Sequence, residues 1–160
     1  FPYTTLFRSA PAIPKAVKSF LSDTSSFSPE WSGSILRMLP ESVRGAYPLL
    51  REHLRILSAG ICIGEAKGKD FIPAEELALS TALRPDAFPV ADLDWDDAIR
   101  YLKKEALLLP AGTEKGYVLV RHKKFPLGFA KHLGNRANNL YPQEWRIRTG
   151  YIPEQVKTFE

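Results

Sequence analysis

The sequence predicts an α+β protein in which a small mixed domain precedes a β-barrel-like domain with one main helix. Two observations lead to this prediction. Residues 94–107 carry the clearest helical apolar stripe, whereas the other apolar runs are mostly short and end at glycine, proline or charged residues. One helix among several short strands suits a small, partly closed barrel. At 160 residues the chain can bury a core as one domain or as two small ones.

The first half is predicted to contain a tail and a joining domain. Residues 10–39 are expected to form a linker-like tail, with helical spacing at 11–21, a Ser/Pro-rich loop at 22–34 and a short strand at 35–39. Residues 40–90 are expected to form the joining domain. Its predicted elements are a helix at 42–54, strand segments at 55–65 that bend at Ala59-Gly60, a turn at 66–70, a strand at 71–72, a helix from Pro73 to about residue 83, and a connection at 84–90.

Residues 91–151 are predicted to form the barrel, and residues 152–160 a C-terminal tail. The helix at 94–107 has Asp94 as its cap, acids in the first turn and lysines near the end, which all agree with the helix dipole. Its apolar stripe consists of Trp95, Ala98, Ile99, Leu102 and Ala106. Strands are predicted at 107–109, 117–121, 125–132 and 144–148, with a hairpin tip at 122–124.

The net charge of +4 is divided unevenly along the chain. Residues 111–150 contain eight Lys/Arg and two Asp/Glu, a local net charge of +6. Residues 61–110 contain six Lys/Arg and ten Asp/Glu, a local net charge of −4. A basic face on an acidic scaffold is expected to attract polyanions. The basic part is interleaved with Phe, Tyr and Trp, which solubility alone does not require.

Catalytic and metal-binding residues are both predicted to be absent from this chain. Its single cysteine, Cys62, stands between two isoleucines without a neighbouring base, which indicates a buried structural thiol. His53, His122 and His132 are far apart and lack partners at ligand spacing. No run of about 18 apolar residues predicts a membrane span. One cysteine fits a reducing cytoplasm.

The most informative segment is residues 126–148, which combines a short apolar strand, a glycine-containing turn, three asparagines and four Lys/Arg. Cations bind phosphates, amides bind polar edges, and glycines let a ligand approach the backbone. This combination points to RNA. The candidate RNA-binding residues are Lys131, Asn135, Arg136, Asn138, Asn139, Tyr141, Arg146 and Arg148, with Lys123 and Lys124 at the hairpin tip and Lys67 and Lys69 in the turn of the first half.

Most of these candidates also have a structural interpretation. Lys131 could be a solvated edge lysine, the asparagines could hold a turn, and the lysines of the hairpin tip could be ordinary turn residues. Arg136 is harder to explain in this way, because the nearest acid on its C-terminal side is Glu144. Beside Tyr141, its guanidinium could stack on a base or bind a phosphate. Arg146 and Arg148 are expected to alternate onto one face of the strand at 144–148.

Residues 125–148 resemble the signature of the PUA-like RNA-binding domain that closes RsmF-type rRNA cytosine-5 methyltransferases of the Sun family. The matching positions are Leu127, Gly128, Phe129, Lys131, Gly134, Asn138, Asn139, Tyr141 and Pro142. Segments 94–107 and 116–122 resemble the same module. Segments 59–73 and 77–80 are similar to the domain that joins this module to the catalytic core, so the resemblance extends over about residues 40–151.

The resemblance implies that structured RNA, with rRNA as the expected class, binds here for an AdoMet-dependent methyltransferase. Members of that family have a Rossmann-like core with two functional cysteines. This chain has one cysteine, no Pro-Cys dipeptide and no glycine-rich turn after a strand. We therefore expect no catalytic activity and no cofactor in these residues. For the parent enzyme we expect AdoMet as the cofactor, the missing core as a partner in cis, and a cytoplasmic location without a membrane.

The first nine residues are not expected to belong to the natural protein. Phe1–Ser9 resembles the translation of a sequencing adapter, so we exclude it from the fold and expect the natural protein to begin upstream.

The alternative function is an interaction module that packs on the methyltransferase core without contacting RNA. It predicts exposed apolar residues in the joining half and a weak salt dependence. A stand-alone small enzyme is a third interpretation, which no constellation of residues supports.

Overall fold

The computed structural model describes residues 13–151, so the segments 1–9 and 152–160 lie outside the described residues. Its elements in chain order are α1 (Lys15–Lys18), β1 (Phe27–Ser32), β2 (Ile35–Pro40), α2 (Glu41–Arg44), α3 (Tyr47–His53), β3 (Ile61–Lys67), β4 (Asp70–Pro73), α4 (Glu75–Ala78), β5 (Val90–Asp92), α5 (Trp95–Leu102), β6 (Gly116–His122), β7 (Phe125–His132) and β8 (Ala137–Asn139).

Two four-stranded sheets form the framework. In the first sheet, β1 to β4 pair in sequence order and are antiparallel. In the second, β5 runs parallel to β6 with α5 between them in the chain, and β6, β7 and β8 are antiparallel. Beyond β8, Leu107 adds an isolated bridge to Ala137. The α+β class is therefore confirmed, and the described strands of the predicted barrel form an open sheet that Leu107 extends at one edge.

The centre of the second sheet is buried on both faces. Leu119 and Phe129 belong to one apolar cluster with side chains of the first half. Val120 and Ala130 belong to a second cluster, which includes Ala98 and Tyr101 of α5. Because successive side chains of a strand point to opposite faces, β6 and β7 pack against the first half on one side and against α5 on the other. The first-half members of the first cluster are Val17, Leu21, Leu36, Met38, Ile63, Leu77, Ala78, Ala82 and Phe88.

A buried glutamate of the first half reaches into the second. The Tyr101 hydroxyl lies 3.4 Å from Glu75 Oε2 and 3.1 Å from the Phe129 carbonyl oxygen. A Cβ on Gly128 would lie 2.1 Å from Glu75 Oε2 and 2.2 Å from the Tyr101 hydroxyl, and the φ of Gly128 is +147°. The glycine of the Leu127-Gly128-Phe129 step is therefore required by an internal carboxyl group and by its backbone conformation.

Several predictions for the first half are wrong. Residues 27–32 form β1 instead of a loop, and Pro29 is tolerated there because β1 is an edge strand. Val17 and Leu21 lie in the core, so the described part of the predicted tail belongs to the fold. The helix predicted at 42–54 is divided into α2 and α3, and the helix after Pro73 is limited to α4. The first strand predicted within 55–65 is absent, whereas β3 forms.

In the second half the prediction of β7 is confirmed at both ends, whereas three others fail. Of the strand predicted at 107–109, only the isolated bridge of Leu107 forms. The helix predicted to reach residue 107 ends at Leu102. Residues 144–148 form no strand, and the eighth strand lies instead in the asparagine-rich segment. Asp94 caps α5 as predicted, since its Oδ1 accepts a hydrogen bond of 2.9 Å from the Asp97 N–H.

Candidate nucleic-acid interface

The C-terminal end of α5 is closed by a Schellman motif that a lysine completes. Lys104 has a φ of +66°, a conformation that glycine usually supplies at this position. Its N–H donates to the Tyr101 carbonyl at 2.9 Å, and the Glu105 N–H donates to the Arg100 carbonyl at 2.9 Å. The Asn139 amide adds hydrogen bonds of 2.8 Å to the Tyr101 carbonyl and 3.1 Å to the Glu105 carbonyl. The chain therefore reverses directly after the last turn of the helix.

Arg136 faces a groove between this helix end and β8. The groove has a volume of about 630 Å³, and its polar lining includes Arg100, Glu105, Arg136 and Asn138. Arg136 is exposed, and its guanidinium has no ion-pair partner among the described residues. Arg100 is paired with Asp97 at 3.3 Å on the surface of the helix. Arg136 therefore offers an unneutralised planar cation at the mouth of the groove.

Arg146 and Arg148 lie beside the same helix end. Their segment is irregular, and it is anchored by a hydrogen bond of 2.9 Å from the Ile147 N–H to the Leu102 carbonyl. Both arginines line a second groove together with Lys103 and Glu105. The predicted two-cation ladder on a strand is therefore wrong. Anchored to the helix end, the two arginines still share one surface with a lysine of α5.

Glu105 lines three adjacent grooves, which joins these cations into one patch. We call it the α5-end surface, and it consists of Arg100, Lys103, Arg136, Arg146 and Arg148. Four of its five members are arginines, whose planar guanidinium can bind a phosphate through two hydrogen bonds. Glu105, Asp96 and the paired Asp97 reduce its charge without cancelling it. Such a surface can bind the sugar-phosphate backbone of a nucleic acid.

Lys131, a central candidate from the sequence, is internally paired. Its Nζ lies 2.5 Å from Asp70 Oδ2 and 4.8 Å from the centre of the Tyr117 ring. The Tyr117 hydroxyl also donates to Asp70, at 2.8 Å. The hydrogen bond from Lys131 lowers the pKa of Asp70, and the Asp70 carboxylate raises the pKa of Lys131. This cluster links the β3–β4 turn to the second sheet, so the charge of Lys131 is largely balanced within the fold.

The sheet face around Lys131 brings together other sequence candidates. Asn138 stands directly opposite Lys131 in the register, and its side chain is exposed. Lys67 and Lys69 are exposed in the turn that leads to Asp70. A phosphate could therefore meet Lys67, Lys69 and Asn138 here, but with Asp70 at the centre this face is less basic than the α5-end surface.

Asn139 and Tyr141 are occupied inside the fold. Besides its two donated bonds, the Asn139 side chain accepts one of 2.9 Å from the Tyr141 N–H. The Tyr141 ring packs edge-on against Tyr101 and Trp145, with centroids 5.4 Å and 6.4 Å apart. Among the described residues, Arg136 makes no cation–π contact with Tyr141. Asn135 is exposed in the bend before β8.

Lys123 and Lys124 occupy the tip of the β6–β7 hairpin, as predicted. Both are exposed, with φ values of +48° and +72°. The tip is about 23 Å from Lys131 along β7, at about 3.3 Å per residue. The hairpin lysines and Lys131 therefore do not form one patch.

Sequence reasoning missed Arg100 and Lys103 as binding candidates. Arg100 received no role, and Lys103 was assigned to the helix dipole. The detectable signal is their spacing of three residues on the polar side of the apolar stripe, next to a basic C-terminal segment.

The rest of the described structure offers little for other chemistry. Burial raises the pKa of the Cys62 thiol, and Glu76 contributes in the same direction, which opposes reactivity. Among residues 13–151, no group of three His, Cys, Asp or Glu side chains is placed to hold a metal. Within the same residues, no helix has the length and apolar character needed to cross a membrane.

Comparison with known proteins identifies sequences that this chain resembles. Residues 88–147 match the family model described as the methyltransferase RsmF PUA domain. The chain is 32% identical over 110 residues to the ribosomal RNA small subunit methyltransferase F of Shewanella baltica, a match that covers 66% of this chain and 22% of the relative. It is 32% identical over 92 residues to the protein of the same description from Shewanella pealeana, covering 57% and 18%. The chain thus spans about a fifth of the length of the curated relatives it matches.

Proposed function

We propose that this chain binds structured RNA, with ribosomal RNA as the class, for a cytosine-5 methyltransferase catalytic domain, because its residues 88–147 match the model of the RsmF PUA domain. The relatives at 32% identity are described as methyltransferases of small-subunit ribosomal RNA, which supports this choice of ligand. The proposed role is to hold the RNA backbone so that the target base reaches the catalytic domain. Extrusion of that base takes place in the catalytic domain.

The observation that carries the proposal is the α5-end surface. Three arginines from the second half of the chain, Arg136, Arg146 and Arg148, meet the last turn of α5 there. Arg136 is exposed and has no ion pair with a described residue. An unpaired arginine gains more from a phosphate than a cation that must first leave a carboxylate, as Lys131 must leave Asp70. We therefore assign the main phosphate contacts to this surface.

RNA binding over a salt series tests this assignment. The full chain and the variant Arg136→Gln/Arg148→Gln are titrated into a labelled ribosomal RNA hairpin, and fluorescence anisotropy gives Kd at each salt concentration. Each lost phosphate contact reduces the slope of log K against log salt by about 0.7–0.9. We expect the double variant to bind more weakly, with a slope that is shallower by about 1.5.

A matched control carries the same change in charge elsewhere. Lys15 and Lys18 are exposed on α1, which belongs to the first half of the fold. The variant Lys15→Gln/Lys18→Gln should retain the affinity and the slope of the unchanged chain. Equal losses in both variants would mean that only net charge matters, and no loss in either would remove RNA binding from the α5-end surface.

Methyl transfer itself is not assigned to these residues. The one parallel strand pair among the described residues is β5–β6, and the turn from β5 to α5 is Leu93-Asp94, without a glycine. Asp94 is occupied as the helix cap. This turn therefore lacks the glycine-rich form of a nucleotide-binding turn, and we propose that the cofactor binds to the catalytic domain.

A second candidate function is supported by exposed leucines in the first half. Leu49 and Leu54 of the α3 region are each 60% exposed, and Leu57 is 86% exposed. Val43 and Leu50 lie in the same stretch and are also exposed. An apolar cluster of this kind marks a protein-binding surface. We propose the methyltransferase catalytic domain as its partner, alongside RNA binding by the second half.

The two functions separate experimentally. Leu54→Ser/Leu57→Ser should weaken binding to a separately expressed catalytic domain of a relative, with little dependence on salt, and should leave the RNA affinity unchanged. Calorimetry of the protein–protein titration should give a negative heat capacity change that the variant reduces. If the variant binds the catalytic domain as well as the unchanged chain does, these leucines are not the interface.

A further inference from the structure

We propose that the tip of the β6–β7 hairpin is a stacking site for an unpaired nucleotide of the bound RNA. Phe125 supplies the ring, and Lys123 and Lys124 contact the adjacent phosphates. This inference rests on the proposed RNA binding and adds to it a separate contact and a ligand class: RNA with a looped-out or single-stranded nucleotide.

Phe125 is an aromatic side chain left in solvent on a rigid support. It is 74% exposed, and no ring of the described residues packs against it. It stands opposite His122 in the hairpin register. The His122 ring packs edge-on against Trp95 at 5.9 Å, and its Nδ1 lies 2.9 Å from the Leu93 carbonyl. The residue beneath the tip is thus fixed, and the tip presents Phe125 at a defined place.

The turn keeps two lysines in a conformation that other residues adopt more easily. Positive φ values at both central positions define a type I′ turn, which favours Asn-Gly. Lysine has a Cβ and is strained in this region. Neither lysine has an ion pair with a described residue, so the fold gains no charge pairing from them. Strain of this kind is often retained at sites that act on a ligand.

The tip and the α5-end surface are close enough to contact one RNA. Trp95 begins α5 beside the tip, and Arg100 and Lys103 lie at its other end. Eight helical residues span about 12 Å. That length is roughly three to four base-pair steps at about 3.4 Å per step, so a short stem on the α5-end surface places its loop near the hairpin tip.

The acids near this path are mostly paired. Asp92 binds Arg121 through two hydrogen bonds of 3.0 Å and 2.7 Å. Asp94 caps α5, and Asp97 pairs with Arg100. Asp96 and Glu105 are exposed and have no ion pair with a described residue, and Glu105 lines all three grooves of the α5-end surface. Most acids between the tip and the α5-end surface are therefore neutralised within the fold, which leaves Asp96 and Glu105 as the carboxylates that oppose a phosphate backbone.

The exposed Phe125 ring indicates which class of RNA binds at the hairpin tip. A base within a duplex is stacked on both faces, so an external phenyl ring cannot reach it, whereas an unpaired base has a free face. An aromatic ring flanked by cations is the arrangement with which proteins bind single strands. The hairpin tip thus favours a looped nucleotide over a continuous duplex.

Two RNAs of equal length test the proposal: a hairpin with an unpaired loop, and a fully paired duplex. We expect Phe125→Ala to weaken binding of the full chain to the hairpin by about tenfold or more and to leave duplex binding within about twofold. Phe125→Trp should bind the hairpin at least as well as the unchanged chain, and Phe125→Leu should resemble Phe125→Ala. The salt slope of Phe125→Ala should be unchanged, because the lost contact carries no charge.

The lysines are tested by Lys123→Asn/Lys124→Gly, which suits the turn and removes both charges. This variant should bind the hairpin more weakly, with a slope of log K against log salt that is shallower by about 1.5.

The stacking site is overturned if Phe125→Ala binds the hairpin within twofold of the unchanged chain. In that case the proposed RNA binding still holds, provided that Arg136→Gln/Arg148→Gln loses affinity. If Phe125→Ala loses affinity equally for the hairpin and the duplex while its thermal unfolding is unchanged, the preference for an unpaired nucleotide is overturned. If the unchanged chain binds neither RNA, both proposals fail.

Discussion

Replacing Glu75 by glutamine is expected to remove a pH dependence of stability from this protein. Burial raises the pKa of Glu75 from its ordinary value of 4.5 to about 7, while the Tyr101 hydroxyl, the Phe129 N–H and Lys104 oppose the rise. One carboxyl oxygen, Oε1, is buried without a hydrogen-bond partner among the described residues. The folded protein therefore holds the Glu75 proton more tightly than the unfolded chain does.

The sign and size of the effect follow from proton linkage. Between about pH 4.5 and pH 7 the folded state binds more protons than the unfolded state, so the free energy of unfolding falls as the pH rises. One pKa unit corresponds to about 1.4 kcal/mol, so the contribution of Glu75 falls by about 2–3 kcal/mol between pH 5 and pH 8. Glutamine has a similar shape and does not titrate. Its variant should match the unchanged chain near pH 5 and exceed its stability by about 2–3 kcal/mol at pH 8.

Urea unfolding at pH 5 and pH 8 measures this difference directly, since the free energy of unfolding extrapolates linearly to water. The change between the two pH values is compared for the unchanged chain, Glu75→Gln and Glu114→Gln. Glu114 is exposed, so its variant controls for the loss of one negative charge and should behave like the unchanged chain. The reasoning is refuted if Glu75→Gln loses as much stability between pH 5 and pH 8 as the unchanged chain, or if it is the less stable protein at pH 8.

Three further predictions concern Gly128, the hairpin tip and Lys131. Gly128→Ala should lower the free energy of unfolding by about 3 kcal/mol or more in urea, because its Cβ would overlap Glu75 and Tyr101 at a positive φ; unchanged stability would contradict the packing. Lys123→Asn/Lys124→Gly should raise the free energy of unfolding by about 1–2 kcal/mol by relieving the strained turn; a lower Tm would contradict this. Lys131→Gln should reduce RNA affinity and salt slope less than Arg136→Gln, because Asp70 balances Lys131; the reverse order in anisotropy titrations would make the sheet face the main contact.

The sequence was a good guide where local signals agreed. The alternating apolar residues and the flanking turn of β7 predicted both of its ends. The N-terminus of α5 was predicted because an Asp cap and first-turn acids act within a few residues. The C-terminus was missed by five residues because Lys104, and not a glycine, adopts the left-handed conformation there, supported by Asn139 from β8. No local signal predicts hydrogen-bond partners that are 34 and 38 positions away in the chain.

The sequence likewise predicted some features of the candidate site and missed others. The basic composition of the second half and the exposure of Arg136 were accessible from the sequence, since charge depends on residue type. The pairing of Lys131 with Asp70 was not, because the two residues are 61 positions apart and meet only when the β3–β4 turn packs on the second sheet. The same holds for Arg146 and Arg148, which reach the α5-end surface through a backbone hydrogen bond to Leu102 and not through a strand.

The sequence by itself thus determined the α+β class, the family resemblance and the chemistry available for binding, because these depend on residue type and short-range pattern. The tertiary structure alone decided which cations remain available to a ligand and why Gly128 is a glycine. Both answers depend on groups that are distant in the chain: Asp70 balances Lys131, and the Glu75 carboxyl and the Tyr101 hydroxyl occupy the space beside Gly128. Such contacts form only when the two sheets pack together, so no window of sequence contains them.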